Sequence, residues 1–179
     1  MMADGVSPNT SVCPGQVRNN DVMLAIRRLA GADMPAVTAI VLGLPDYFTS
    51  DVAARIERDA VGHDSWVLTD SAAVAGFAVA VRRPPGGAEI LWIAVDPARR
   101  GQGLGTVLLD RVLDELAAAG VSVVEAKTLD RSAGYPPYEA TRAFWERRGF
   151  VQIDTIDPLP GWQPGNPAAI YVAALQPTR

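Results

Sequence analysis

The chain of 179 residues is poor in the side chains from which metal and disulfide sites are built. It contains one cysteine, Cys13, and one histidine, His63. A single cysteine excludes an intrachain disulfide and a zinc site made of several cysteines. A single histidine likewise excludes a site with several histidine ligands. We therefore predict that the protein uses no metal.

An excess of positive charge is also absent. Sixteen lysine and arginine residues stand against twenty aspartate and glutamate residues, which gives a formal net charge of -4. Nucleic-acid binding usually needs a basic surface that displaces counterions from phosphates. We predict no nucleic-acid partner and a weak preference for cationic small molecules.

Long apolar runs are missing as well. No stretch approaches the roughly 18 uninterrupted apolar residues that a membrane span requires. The segment Met1 to Asn20 lacks a basic start followed by an apolar core, and it is rich in Gly, Pro, Ser and Asn. We expect a cytoplasmic protein without a membrane partner, with a disordered tail over residues 1–20 and one domain over residues 21–179.

What the sequence does contain is an alternation of strand and helix patterns. Its central unit runs from the strand Glu89–Val95, through a helix over about Gly103–Ala119, to the strand Val121–Ala126. The helix carries one apolar stripe, formed by Leu104, Leu108, Val112 and Leu116. The other predicted elements are the strand Val22–Ile26, helices beginning at Asp33 and near Ser50 or Asp51, the strands Trp66–Leu68 and Val74–Val81, the helix Tyr138–Arg148, and the strands Phe150–Thr155 and Ala168–Val172. This order predicts an α/β domain with a mixed sheet.

The turn Arg100-Gly101-Gln102-Gly103-Leu104-Gly105 joins the first strand of that unit to its helix. The first N–H groups of a helix have no partner within the helix, and the helix dipole adds positive charge there. Glycines let successive amides close around a phosphate, so the turn is typical of a pyrophosphate site, with Arg99 and Arg100 beside it. The alternative is a tight loop that needs glycine only for a positive φ.

The spacing of the glycines argues against two common pyrophosphate sites. No Gly-Lys-Ser/Thr follows, so the turn is not a Walker motif. Glycines at 101, 103 and 105 do not form Gly-x-Gly-x-x-Gly, although Glu125 lies about 20 residues on, where a dinucleotide site has its acidic residue. A nucleotide-binding protein therefore stays open as an alternative.

The run Ile93 to Thr106 resembles motif A of the GNAT superfamily of N-acetyltransferases, with Arg100, Gly103 and Gly105 at the matching positions. The run Phe144-Trp145-Glu146-Arg147-Arg148-Gly149-Phe150 is similar to the family's fourth-helix signature. The resemblance implies a mixed, mostly antiparallel central sheet flanked by helices. In that sheet the fourth and fifth predicted strands, Glu89–Val95 and Val121–Ala126, are splayed apart.

The same resemblance implies acetyl-CoA as cosubstrate. The main chain of Ile93 and Val95 would pair with its pantetheine arm, with the Val95 N–H directed at the thioester oxygen. The amides from Arg100 to Thr106 would hold the pyrophosphate. The full set of implied cofactor-binding residues is Ile93, Ala94, Val95, Arg100, Gly101, Gln102, Gly103, Leu104, Gly105, Thr106, Phe144 and Trp145.

Acetyl transfer to an amine needs a base, because an alkyl ammonium has a pKa of about 10. We predict Glu89 as this base, because Ala88-Glu89-Ile90 resembles the segment that carries the base in the histone-acetylating branch of the family. Glu125 is the second candidate. A main-chain amide such as Val95 N–H can stabilise the oxyanion, and no covalent enzyme intermediate is needed.

The acid is where the sequence departs from the family pattern. Many members have a tyrosine at the position of Trp145, and an indole N–H is not an acid at neutral pH. Tyr138 is our predicted catalytic substitute and Tyr135 a weaker one. The further alternative is a thiolate that leaves without assistance.

The sequence thus favours an N-acetyltransferase that moves an acetyl group to a primary amine of a small molecule or peptide. A module that senses acetyl-CoA without turnover is the alternative. The sequence identifies neither the amine nor the oligomeric state, for which a homodimer is one option.

Overall fold

The computed structural model describes residues 16–19, 22–49 and 51–176 of the chain. Within them four α-helices flank one sheet. The helices are α1 (Met34–Leu42), α2 (Val52–Gly62), α3 (Leu104–Ala118) and α4 (Tyr138–Arg147). The strands are β1 (Gln16–Asn19), β2 (Val22–Arg28), β3 (Asp64–Asp70), β4 (Ala73–Arg83), β5 (Gly87–Val95), β6 (Val123–Leu129), β7 (Val151–Ile156) and β8 (Ala168–Ala174).

The described strands lie in the order β1-β2-β3-β4-β5-β6-β8-β7. Neighbouring strands are antiparallel except β5 and β6, which are parallel and are connected by α3. The α/β class and the mixed, mostly antiparallel sheet predicted from the sequence are confirmed.

The structure differs from the predicted tail in one segment. Gln16–Asn19 forms β1, which pairs with the outer edge of β2. Only Val17 is apolar in this segment, so hydrophobic patterning gave no signal. Main-chain pairing with an open sheet edge is what makes it a strand. Residues 1–15 and 20 of the predicted tail, Cys13 among them, lie outside the described residues.

Each face of the sheet has its own hydrophobic core. Helices α1 and α2 cover one face, over β3, β4 and the end of β5. Helices α3 and α4 cover the other, and there Leu104, Leu108, Val112 and Leu116 are all buried, as the apolar stripe predicted. Different pairs of helices therefore cover the two faces of the sheet.

The sheet does open between β5 and β6. Their pairing extends from Gly87 opposite Val123 to Ile90 opposite Ala126 and goes no further along the described strands. Beyond this point β5 continues along β4 and β6 continues along β8. The predicted splay of the two strands is confirmed, and we call the space between their carboxyl ends the wedge.

Strand β5 contains a bulge at the narrow end of the wedge. Ile90 pairs with Ala80 and Trp92 pairs with Val79, so Leu91 is an extra residue without an opposite partner. Leu91 and Trp92 both pack on the side of α1 and α2. The bulge thus interrupts the regular alternation of β5 where the two strands part.

Strand β6 runs three residues beyond its predicted end at Ala126. Beyond that predicted end, Lys127, Thr128 and Leu129 pair with Ile170, Ala169 and Ala168 of β8. The local sequence did not indicate these strand residues, because their partner is a segment about 40 residues further along the chain.

The end of β6 is fixed by the buried carboxylate of Asp130. It accepts hydrogen bonds from the Ser132 N–H (2.9 Å) and hydroxyl (2.7 Å), the Gln152 amide (2.7 Å) and the Thr155 hydroxyl (3.1 Å). Burial alone would raise the pKa of Asp130, but these hydrogen bonds outweigh it and hold the pKa at about 2. This carboxylate joins one wall of the wedge to β7.

We expect Asp130→Asn to lower the free energy of unfolding by about 2 kcal/mol at neutral pH, since the folded pKa lies below the ordinary value of 3.8. A lowered folded pKa contributes stability above about pH 4, and the contribution is lost as the pH falls toward about 2. Urea unfolding of both proteins should therefore show the difference shrinking by about half by about pH 3. Asp114→Asn, at an exposed position of α3, is the matched control. A difference that stays constant with pH would contradict the assignment.

Candidate active site

A cleft of about 1090 Å³ lies along the wedge. Its walls come from β5 and β6, the segment between α1 and α2, the start of α4, and the loop between β7 and β8. The predicted residues Glu89, Ile93, Ala94, Arg100, Tyr138 and Trp145 all line it. The structure thus brings the predicted catalytic side chains and the wedge-facing strand into one cleft.

The glycine turn follows β5 and leads into α3 at the wide end of the wedge. Its amides from Gly101 to Gly105 donate to no acceptor within the described residues. The two amides at the ends of the predicted set are occupied: the Arg100 N–H bonds the Pro97 carbonyl (3.4 Å) and the Thr106 N–H bonds the Gly103 carbonyl (3.0 Å). Five successive free donors at a helix N-terminus can together bind an anion.

Gly103 is the N-cap of α3 and has a φ of 78°, in the left-handed region that side chains rarely adopt. Gly105 is in the first turn of the helix, where an added β-carbon would lie 3.6 Å from the Phe144 ring, at ordinary contact distance. Leu104 points into the core with 5% of its surface exposed. Three residues of the turn thus have different roles. Gly103 allows the positive φ, Leu104 packs in the core, and Gly105 lies against Phe144 of α4.

The two arginines of the turn are held by protein partners. Arg99 forms an ion pair with the buried carboxylate of Asp70, at the end of β3. The Arg100 guanidinium lies 4.5 Å from the centre of the Tyr47 ring and donates to its hydroxyl (3.3 Å). The free main-chain amides, rather than these arginines, are the open anion-binding groups.

The bulge decides which main-chain groups of β5 face the wedge. The Asp96 N–H donates to the Ala75 carbonyl of β4 (2.9 Å), so the main chain of Asp96 is directed toward β4. Alternate residues of a strand direct their main-chain groups to opposite sides, so those of Val95 and Ile93 face the wedge. These are the two residues whose main chain the sequence predicted to be available there.

Glu89 lies at the narrow end of the wedge and is 5% exposed. Its carboxylate forms ion pairs with Arg83 of β4 and with the Lys127 ammonium (2.8 Å). Lys127 also bonds the Glu125 carboxylate (2.7 Å). Burial disfavours the charged ammonium, but the bonds to Glu125 and Glu89 outweigh burial and raise the pKa of Lys127. The predicted base is therefore part of a cluster of two acids and two cations.

Trp145 is buried at 3% exposure in the core beneath the cleft. Its ring packs edge-on against Phe144 and Phe150, with centroids 5.2 and 4.9 Å away. Trp145 is thus a packed core residue whose ring also forms part of the cleft wall.

The Tyr138 hydroxyl donates to the main-chain carbonyl of Tyr47 (3.0 Å), and the two rings are 5.2 Å apart. Burial, followed by the neighbouring Tyr47 and Tyr135, raises the pKa of Tyr138 to about 12. The Tyr47 hydroxyl in turn donates to the Pro137 carbonyl (2.8 Å). Tyr47 was missed by sequence reasoning, because its contacts are with residues about 90 positions away and no local pattern marks them.

The described residues contain no group of three or more His, Cys, Asp or Glu side chains that could hold a metal ion. No helix among them is long and apolar enough to cross a membrane.

A family model described as "Acetyltransferase (GNAT) family" matches residues 28–150, which is more than half of the chain. The chain belongs to the GNAT acetyltransferase family. The matched range contains β5, the glycine turn, α3 and α4. The predicted family is confirmed, and with it the predicted class of cofactor, an acyl-CoA.

Solved structures of other proteins share the fold. A Desulfovibrio desulfuricans protein assigned to the GNAT family superposes with a TM-score of 0.74 at 26% identity, over 86% of this chain and 99% of that one. A Salmonella typhimurium protein, solved with its cofactor acetyl-CoA, superposes with a TM-score of 0.62 at 22% identity, over 86% of this chain and 94% of that one.

In sequence, the chain is 40% identical over 65 residues to a mycothiol acetyltransferase of Beutenbergia cavernae. The match covers 36% of this chain, and the chain spans about a fifth of the length of that curated relative.

We expect Gly103→Ala to weaken coenzyme A binding by about tenfold or more, because a β-carbon at this φ strains the turn and displaces its amides. Titration calorimetry with coenzyme A measures the effect. Gln102→Ala is the matched control, because Gln102 is exposed and contributes its main chain, and it should bind nearly as the wild type does. Equal losses in both variants would contradict a main-chain site.

Proposed function

We propose that this chain transfers an acetyl group from acetyl-CoA to a primary amine of a small molecule or peptide, by direct attack of the amine. The observation that carries the proposal is the wedge, with free main-chain groups along β5 and five free amides at its wide end. A thioester bound there supplies the acyl group, and the chain itself supplies orientation, charge stabilisation and proton transfer.

The free groups of the chain fit an acyl-CoA in two respects. The amides from Gly101 to Gly105 suit a pyrophosphate, which binds helix N-termini through several donors at once. The wedge-facing main chain of Ile93 and Val95 suits an extended arm that adds to the open strand edge. The Val95 N–H is then the donor placed to stabilise negative charge on a carbonyl oxygen.

The acceptor side of the cleft supports an amine. Asp46 and Asp59 line it, and neither of the two forms an ion pair within the described residues. The Asp59 carboxylate is held by the Trp92 indole N–H (2.7 Å). Carboxylates without cationic partners attract an ammonium group, the form in which a primary amine arrives at neutral pH.

Glu89 is the proposed base, because it is the buried carboxylate on the cleft wall beside the narrow end of the wedge. The ion pairs with Arg83 and Lys127 fix the position of its carboxylate, which is the group that accepts the proton. Glu125 belongs to the same cluster and is the second candidate.

Tyr138 is the proposed acid, and the hydrogen bond of its hydroxyl limits how it can act. Its hydroxyl proton is bonded to the Tyr47 carbonyl, so donation to a leaving thiolate requires that bond to break. A pKa of about 12 also makes the phenol a weak acid. The alternative, a thiolate that leaves unassisted, predicts little dependence on this hydroxyl.

Release of free thiol from acetyl-CoA in the presence of a panel of amines tests the function. We expect thiol release with at least one cationic primary amine, and none with its N-acetylated form, which has no free amine. Binding of acetyl-CoA without release by any amine would favour the alternative of a sensor module.

With an active amine, the proposed base is tested by Glu89→Gln, which we expect to flatten the acidic limb of the kcat/KM profile because the proton acceptor is lost. Glu125→Gln is the matched control from the same cluster and should keep that limb. The reverse result would move the role of base to Glu125.

The proposed acid is tested in the same assay by Tyr138→Phe. Unchanged kcat in this variant would remove Tyr138 from the acid role.

A further inference from the structure

One buried hydroxyl on the wall of the cleft has no hydrogen-bond partner in the described part of the chain. Thr128 lies on β6, beyond the last pair with β5 at Ala126, and is 3% exposed. Its Oγ1 is shielded from solvent and has no hydrogen-bond partner among the residues that the structure describes. Buried polar groups are nearly always paired, because an unpaired one costs stability.

The position of Thr128 explains why the fold provides no partner. On one side β6 pairs with β8, where Thr128 lies opposite Ala169, whose side chain has no polar atom. On the other side lies the wedge, where β5 has already turned away. Side chains two apart on a strand share a face, so Thr128 is on the face of Ala126, which is covered by α3 and α4.

Thr128 also lines the cleft. The wide end of the wedge carries the free amides of the glycine turn, and Thr128 lies on the wall of the same wedge, two residues beyond Ala126. A ligand that extends from that turn into the space between the two strands lies along this wall. A ligand in the wedge can therefore supply the missing partner.

We infer that the Thr128 hydroxyl is a hydrogen-bond donor to the acyl-pantetheine arm of the cosubstrate, and so a further binding residue. The inference rests on the proposed binding of acyl-CoA in the wedge. The arm offers amide and thioester carbonyl oxygens, which accept hydrogen bonds and donate none at these atoms, whereas a threonine hydroxyl can donate. A rotation about the Thr128 side chain's first torsion is enough to exchange its methyl and hydroxyl groups.

Thr128→Val tests the assignment, because it keeps the shape of the side chain and removes the hydroxyl. Without ligand, we expect the variant to melt about 2–4 °C higher than the wild type, since an unpaired buried hydroxyl is lost. Binding of coenzyme A and acetyl-CoA, measured by calorimetry, should weaken by about five- to tenfold for at least one of them, since the bond to the arm is lost. Thr128→Ser keeps the hydroxyl and should bind as the wild type does.

The opposite signs of the two effects make the test decisive. A higher melting temperature with unchanged affinity for both ligands would overturn the inference, since the hydroxyl would then serve nothing. A lower melting temperature, with or without weaker binding, would also overturn it, because the hydroxyl would then have a partner in the fold. Wild-type protein that binds neither ligand would instead refute the proposed function, whatever the variants do.

Discussion

The structure depends on one constraint: two strands that stop pairing with each other leave main-chain hydrogen-bonding groups that need other partners. Strands β5 and β6 part beyond Ile90 and Ala126, and each keeps its neighbour only on the outer side. Inside a protein such groups are costly unless they are satisfied. An extended ligand can satisfy them as an added strand would, and so the same parting that weakens the sheet produces the cleft in which we propose that acyl-CoA binds.

The closed end of the wedge is held together by charge. Glu89 and Glu125 lie directly opposite each other in the parallel pair, and two carboxylates in this position repel. Lys127 bonds both of them, and Arg83 adds a second cation on the Glu89 side. Removing a cation from such a cluster leaves an uncompensated buried charge, which costs far more than a surface pair is worth. The proposed base is therefore also part of what keeps the two strands joined.

Much of the fold was predictable because its signals are local. The apolar stripe of α3 and the glycine turn before it are patterns within a few residues, and the order of strands and helices follows from the same kind of reading. The candidate site was predictable to the same depth: the turn, and Ile93 and Val95 beside it, follow from their place between a strand and a helix.

What the sequence could not supply depends on distant partners. Strand β1 forms on an open edge, and Lys127 to Leu129 continue β6 only because β8 lies beside them. The contact of Tyr47 with Tyr138 joins the segment between α1 and α2 to the start of α4, about 90 residues further along the chain. The local sequence predicts neither the unpaired hydroxyl of Thr128 nor the ion pairs of Glu89, because both depend on which strands lie next to each other.

The bulge at Leu91 divides β5 into two parts, in which opposite sets of alternate residues direct their main-chain groups toward β6. Before it, even-numbered residues turn their main chain toward β6, as the bond from the Val123 N–H to the Gly86 carbonyl shows for the residue just before the strand. After it, odd-numbered residues do so. The number of residues between the bulge and the glycine turn is therefore fixed. Inserting or deleting one amino acid between Trp92 and Val95 would reverse which main-chain groups of the following residues face the wedge. A substitution would leave their directions unchanged. Length, more than side-chain identity, is what this stretch of the chain has to preserve.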